Sequence, residues 1–288
     1  MVEVAVMKKS ELQSVSRFIA KLNRREDCHI GYCGTNSCEI ADTMREEFEV
    51  PYWKSFVTVY QSNVLVGVLG FEVDLERNLV EVWGPFVEDQ YWSFIPTMWE
   101  KMLQLLPEET SVIQMFPNKK NINCVRFAES LGFSHSSEQA ILEFNRQSFR
   151  RENKLEEISD DYIIPFISLH DQTFSNTYYS GGQIVERLND TRKVFITSEE
   201  GTLTGYIYVE VEPEFGEANI EFFAVDEAFR GRGTGGRLLD QALFWIFTFK
   251  EVDTVTLCVN AENQKALQLY ERAGFTLVHE LSAYSKEI

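Results

Sequence analysis

The sequence predicts an α/β protein built from two tandem copies of one fold, each a mixed, mostly antiparallel sheet flanked by helices. Two internal repeats and one order of elements carry this reading. The segment 121–133 aligns with 263–275 at an offset of 142, with Asn121, Glu129, Gly132 and Phe133 matching Asn263, Glu271, Gly274 and Phe275. Upstream, 65–74 resembles 203–212 at an offset of 138, with Leu65, Gly67 and Glu72 matching Leu203, Gly205 and Glu210. Both offsets are near half of the 288 residues, so the matches mark a duplicated unit, which fixes the architecture before any local assignment. The order of elements, antiparallel strands and then strand, loop, helix, strand and helix, gives the mixed sheet. The two domains are assigned to residues 1–148 and 149–288, joined near 149–154.

In the second copy, residues 192–197 and 203–211 alternate and carry β-branched or aromatic side chains. Glu199, Glu200 and Gly201 turn between them, so the pair reads as a hairpin. Residues 219–225 form a third strand. From 235 to 249, apolar residues recur at Leu238, Leu239, Ala242, Leu243, Ile246 and Phe249, the spacing of one helix face. Residues 254–259 are again a strand. Residues 263–273 are a helix closed by Gly274, the residue type that ends helices in the left-handed conformation. The first copy repeats the series with strands at 53–60, 64–73, 79–87 and 112–116 and helices at 92–105 and 121–131.

The composition, 44% hydrophobic and 13% aromatic, is that of a folded chain, and no apolar stretch approaches a membrane span. Glu3 interrupts the apolar start without a basic leader, and five cysteines, an odd number, make no disulfide framework. These features predict a cytoplasmic protein. A net charge of −18 without a dense run of Lys or Arg disfavours nucleic acid and anionic membrane as partners, and is compatible with a cationic acceptor. Cys28, Cys33 and Cys38, near His29, do not have the spacing of a zinc site, so no metal is expected.

The strand at 219–225 leads, after Asp226, into Arg230, Gly231, Arg232, Gly233, Thr234, Gly235 and Gly236, a glycine-rich loop that opens a helix. Backbone N–H groups at a helix N-terminus, unscreened where glycine sits, form an anion site aligned with the helix dipole, and a diphosphate fits it. Gly231, Gly233 and Gly236 also satisfy the dinucleotide fingerprint, which requires glycines directly after the first strand of a parallel unit and an acid ending the second. Here residues 226–230 intervene and the next strand ends in Val259 and Asn260, so the context is wrong. A bare turn without a ligand would keep spaced glycines that cost stability.

Arg230-x-x-Gly233-x-Gly235 after an apolar strand resembles the [QR]-x-x-G-x-[GA] signature of the GNAT superfamily of N-acetyltransferases. The helix holding Asn263, Ala266, Leu269, Tyr270, Gly274 and Phe275 looks like the same family's N-x-x-A-x-x-L-Y-x-x-x-G-F motif. The resemblance implies two tandem GNAT-like domains, acetyl-CoA as cosubstrate without a metal, and a primary amine of a small molecule or peptide as acceptor. It implies that the backbone of Phe223, Ala224 and Val225 pairs with the pantetheine arm, and that the loop from Arg230 to Gly236 holds the pyrophosphate. Asn263 would bond the cofactor arm and Tyr270 would protonate the leaving thiolate. The amine must lose a proton before it attacks. Glu221 is the candidate base, expected by period-two alternation on the same strand face as Phe223 and Val225, and Asn219 on that face could orient a water instead.

The first copy departs from this pattern. Glu88 and Asp89 stand where the second copy has its glycines, and Ala128 replaces the tyrosine, while Asn121, Gly132 and Phe133 remain. It is expected to serve structure and acceptor recognition. The layout, one degenerate half beside one intact half, is similar to the mycothiol synthase type, without identifying a substrate. The competing reading is a non-catalytic acyl-CoA-binding regulatory protein.

Overall fold

The structure is a computed structural model that describes residues 2–149, 156–175 and 177–288. The join expected at 149–154 lies outside the described residues from 150 onward. In chain order the described residues form β1 Val2–Val6, α1 Leu12–Asn23, α2 Ser37–Glu46, α3 Tyr52–Ser55, β2 Phe56–Gln61, β3 Val64–Asp74, β4 Leu79–Val87, α4 Ile95–Leu103, β5 Val112–Met115, α5 Ile122–Ser130 and β6 Ser134–Asn145. There follow α6 Asp160–Thr173, α7 Gly181–Arg187, β7 Arg192–Glu199, β8 Thr202–Glu212, β9 Glu217–Val225, α8 Thr234–Ile246, β10 Thr254–Asn260, α9 Gln264–Ala273 and β11 Thr276–Glu287.

These elements pack into two compact units, one of Met1–Gln139 with His279–Ile288 and one of Ala140–Val278. The division differs from the expected boundary at 148/149. The chain leaves the first unit within β6 and re-enters it within β11, a non-local pairing that no local pattern reveals.

In the first unit the strand order is β1-β2-β3-β4-β5, followed by the end of β11 and the start of β6. The β1–β2, β2–β3 and β3–β4 pairs are antiparallel, β4–β5 is parallel, and β11 runs antiparallel to β5 with Tyr284 opposite Met115. α1 presents Val15, Ile19 and Leu22 at helical spacing, and all three are fully buried with Phe56, Val68, Phe71, Phe86 and Met98. The strand expected from 53 starts only at Phe56, because Pro51, with its fixed φ, heads the short helix α3. The helix expected from 92 begins as a 3-10 turn at Asp89–Phe94 and becomes α-helical at Ile95.

In the second unit the order is the start of β11, the end of β6, then β10, β9, β8 and β7. The β7–β8 hairpin turns through Glu200 and Gly201, both at positive φ (51° and 79°), the conformation that matches strand twist in two-residue turns. Two cores lie in this unit. Leu238, Leu239, Ala242 and Ile246 of α8, all fully buried, pack with Ile207, Val209 and Ile220, and Tyr270 of α9 joins them. Phe166 of α6 and Ile184 of α7 pack with Tyr206, Tyr208, Phe222 and Ala224.

The motif shared by the two copies is a helix-capping device. Asn263 Oδ1 accepts the Ala266 N–H at 3.2 Å, and Asn121 Oδ1 accepts the Cys124 N–H at 3.2 Å. Gly274 and Gly132 end the helices at positive φ, 110° and 76°, and the following Phe275 and Phe133 are buried. This explains why the first copy keeps Asn121, Gly132 and Phe133 although it lacks the glycine loop.

Candidate functional site

The glycine loop is shaped by backbone needs. Asp226 caps the 3-10 turn Glu227–Phe229 by accepting the Ala228 N–H at 2.9 Å. Arg230 Nε then donates to the Val225 carbonyl at 3.0 Å, tying the loop to the end of β9. Gly231 and Gly233 have φ of 77° and 81°, which other residues adopt only with strain. Gly233 is the N-cap of α8 and no side chain caps that helix. A Cβ at Gly235 would stand 2.9 Å from Leu269 Cδ2, so glycine there lets α8 sit close to α9, whereas a Cβ at Gly236 would meet nothing within 4 Å. Ahead of α8, Gly231, Arg232 and Gly233 are exposed. Arg232 and Arg237 each lie 3.7 Å from a carboxylate oxygen of Glu199, and Arg230 lies 3.1 Å from Glu227. A helix N-terminus that no side chain caps, with three arginines beside it that are each paired to a carboxylate, offers backbone donors of the kind that bind a diphosphate.

Beside the loop, β9 and β10 separate. Their parallel register runs from Thr254 opposite Glu217 to Leu257 opposite Ile220 and ends there among the described residues. The edge of β9 at 221–225, with Phe223, Ala224 and Val225, is left facing away from β8 without a β10 partner. At the same place β9 bulges against β8. Tyr208 pairs with Phe222 and Val209 with Ile220, so Glu221 has no residue opposite it.

The bulge corrects the expected orientation of Glu221. Ala218 and Ile220 belong to the α8/α9 core, but beyond the bulge Phe222 and Ala224 belong to the α6/α7 core, while Phe223 and Val225 pack toward α8/α9. Alternation is broken, and Glu221 does not share the face of Phe223 and Val225. Its Oε2 accepts from the Tyr178 hydroxyl, whose ring lies on Phe222 on the α6/α7 side. Burial pushes the Glu221 carboxyl above its ordinary value, and the Tyr178 hydrogen bond opposes this. Asn219, before the bulge, accepts from the Thr256 hydroxyl of β10, so its oxygen is already engaged.

Tyr270 is 6% exposed, with its ring 6.1 Å from Phe223 and 5.7 Å from Phe275. Burial, and secondarily Cys258, raises its phenol pKa above the ordinary value of 10.0. Phe223 bridges the sites, on the α8/α9 side with Tyr270 and next in sequence to the bulge. Asn263 spends its oxygen on the α9 cap.

The sequence reading missed a polar cluster on the α6/α7 side. Glu210 of β8, whose side chain is only 13% exposed, accepts from Arg187 of α7 at 3.0 Å, Arg192 of β7 at 2.9 Å and the Tyr208 hydroxyl at 2.6 Å. The repeat that matched Glu72 to Glu210 was the available signal. Nothing in the sequence placed Tyr178, since its loop has no periodicity.

The first unit lacks the loop geometry. Glu88 pairs with Lys21 at 3.1 Å and Asp89 accepts from Asn123 Nδ2 at 3.1 Å, so acids and their partners occupy the entry to α4. Ala128, the counterpart of Tyr270, is fully buried.

Residues 155–275 match the model of the acetyltransferase (GNAT) family. This stretch, under half of the chain, is similar to GNAT domains. Among relatives, the mycothiol acetyltransferase of Propionibacterium freudenreichii is 35% identical over 82 residues, 28% of this chain and 26% of that protein, so the match spans about a quarter of the relative's length. Among solved structures, a GCN5-related N-acetyltransferase from Sphaerobacter thermophilus superposes with a TM-score of 0.76 at 15% identity, covering 99% of this chain and 95% of the other. A tandem GNAT protein from the clavulanic acid biosynthesis pathway gives 0.67 at 14% identity, covering 100% and 98%. At such identities the likeness establishes the fold: tandem GNAT-like domains, with the glycine loop in the second.

Proposed function

We propose that the protein transfers an acetyl group from acetyl-CoA to a primary amine of a small molecule or peptide, by direct transfer in a ternary complex. The observation that carries this is the separation of β9 from β10 beside an uncapped, glycine-lined helix N-terminus, with Tyr270 on one side of β9 and Glu221 on the other. Acetyl-CoA, when bound, supplies the acetyl group as a thioester. The N–H groups at the start of α8 hold the diphosphate, with Arg230, Arg232 and Arg237 at the rim. The free edge of β9 at Phe223, Ala224 and Val225 pairs with the extended arm. Asn263, whose oxygen caps α9, has its amide nitrogen left to donate to that arm.

The amine comes from the α6/α7 side, where Glu221 takes its proton. Tyr270, protonated at neutral pH, gives a proton to the departing thiolate. The first unit, without a glycine loop, serves structure and acceptor recognition, so one acetyl-CoA binds per chain.

The test is to incubate the protein and acetyl-CoA with a mixed pool of primary amines and to look for an amine that gains an acetyl mass. Tyr270→Phe keeps the ring and is expected to lower kcat about 10²-fold with acetyl-CoA affinity nearly unchanged. Acetyl-CoA binding with no amine acetylated across the pool would favour a regulatory binding protein instead.

A further inference from the structure

The contact between Tyr178 and Glu221 has no role in the chemistry so far. Tyr178 lies in the loop between α6 and α7 and is 47% exposed. An exposed phenol ordinarily points its donor at water, yet this ring is seated against Phe222 and Tyr179, with centroids 5.0 and 4.8 Å away, and its hydroxyl donates to Glu221 Oε2. The bulge leaves Glu221 without a cross-strand neighbour on β8, so the sheet does not orient its side chain through the usual pairing. A side chain released in this way needs an outside contact to stay in one rotamer.

We propose that Tyr178 is a positioning residue for the acceptor side, its hydroxyl holding the Glu221 carboxylate in place and in its ionised form to receive the amine's proton. The proposal rests on the reading of Glu221 as the base.

Among the described residues, the groups that act most on Glu221 are Tyr178 from the loop, Glu210 from β8, Arg187 from α7 and Arg192 from β7. Burial raises its pKa most. Tyr178 lowers it, Glu210 raises it, and the two arginines lower it further. Arg187 and Arg192 are each bonded to Glu210, at 3.0 and 2.9 Å, so they offset its charge and act on Glu221 only through space. Among the described residues, Tyr178 donates to it directly. A hydrogen bond to the charged form favours that form. Loss of the hydroxyl therefore raises the Glu221 pKa, and the ring's packing on Phe222 survives in Tyr178→Phe.

The experiment titrates the whole chain, carrying carbon-13 label in its glutamate carboxyls, by nuclear magnetic resonance, with Glu221→Gln identifying the Glu221 signal. A hydrogen bond worth about 1 kcal/mol corresponds to a shift of a little under one pH unit, so Tyr178→Phe is expected to move the midpoint up by that amount. The rising limb of the acetyl-transfer rate against pH, with the amine pool as acceptor, should move up equally, and activity should recover at the alkaline end. An unchanged Glu221 midpoint in Tyr178→Phe overturns the positioning role. A shifted midpoint with a rising limb that stays put and persists in Glu221→Gln shows instead that Glu221 is not the base, and the proposal falls with that reading.

Discussion

At the scale of single residues, neighbouring glycines in the loop do different work. Gly235 is glycine because α9 is close: an added methyl would meet Leu269 at 2.9 Å. Gly236 has open space where its methyl would go. Gly235→Ala should therefore cost about 1–3 kcal/mol of stability through overpacking. Gly236→Ala, inside the first turn of α8, should leave stability unchanged or raise it by up to about 1 kcal/mol, through better helix propensity, while crowding the N–H groups that we propose hold the diphosphate. Thermal unfolding and calorimetry with acetyl-CoA on the two variants separate these effects, and normal affinity in Gly236→Ala would remove that position from the cofactor surface. The loop was legible because glycine spacing is a local property. The face of Glu221 was not, because one unpaired residue at the bulge reverses any assignment counted in twos across it.

At the scale of elements, the capped helices α5 and α9 were readable in both copies, since Asn at the head and Gly at the tail are set by the chain's own φ/ψ and hydrogen bonding. α1 carries an equally local signal in Val15, Ile19 and Leu22, whereas α6, with Pro165 inside it and Ile164 80% exposed, carries little. Pairing across strands is where sequence falls silent. Glu72 of β3 stands opposite Glu81 of β4, and burial drives both carboxyls up to about 7, with Glu81 adding to the effect on Glu72. In the second unit the matching positions are Glu210 and Asn219, which relieves the repulsion.

A carboxyl whose pKa is higher folded than unfolded holds a proton that the unfolded chain has released. Its contribution is full below the ordinary value of 4.5 and is lost as pH rises through about 7. The stacked imidazoles of His29 and His279, 3.8 Å apart, have lowered pKa values and act in the opposite sense, but only below their ordinary value of 6.5. Between about pH 6.5 and 8 the denaturant midpoint of the wild-type chain should therefore fall, and Glu81→Gln should flatten the fall. Parallel curves for the two proteins would show that the carboxyls do not titrate there.

At the scale of the whole molecule, the repeat announced two copies of one fold, but the compact units do not follow the order of the chain. The last ten residues, His279–Ile288, complete the first unit, with Tyr284, Lys286 and Glu287 paired to β5 and Ser282 hydrogen-bonded to Glu138 at 3.1 Å. Removal of a chain's final residues is usually tolerated where their backbone is free. Here truncation after Val278 strips β5 of a neighbour, and loss of the cooperative unfolding of the first unit, read by circular dichroism and denaturant titration, is the expected result. A truncated chain that unfolds like the full one would mean that β11 adds nothing to that unit.

The same threading has a mechanical consequence. Residues 2–139 and 279–288 belong to the first unit, and the second is inserted between the two strands that lead out and back. A force applied across Val2 and Glu287 loads β1 and β11 at once and is expected to bear on the first unit. The glycine loop, which lies in the inserted unit, should then feel that tension only after β11 has been peeled from β5.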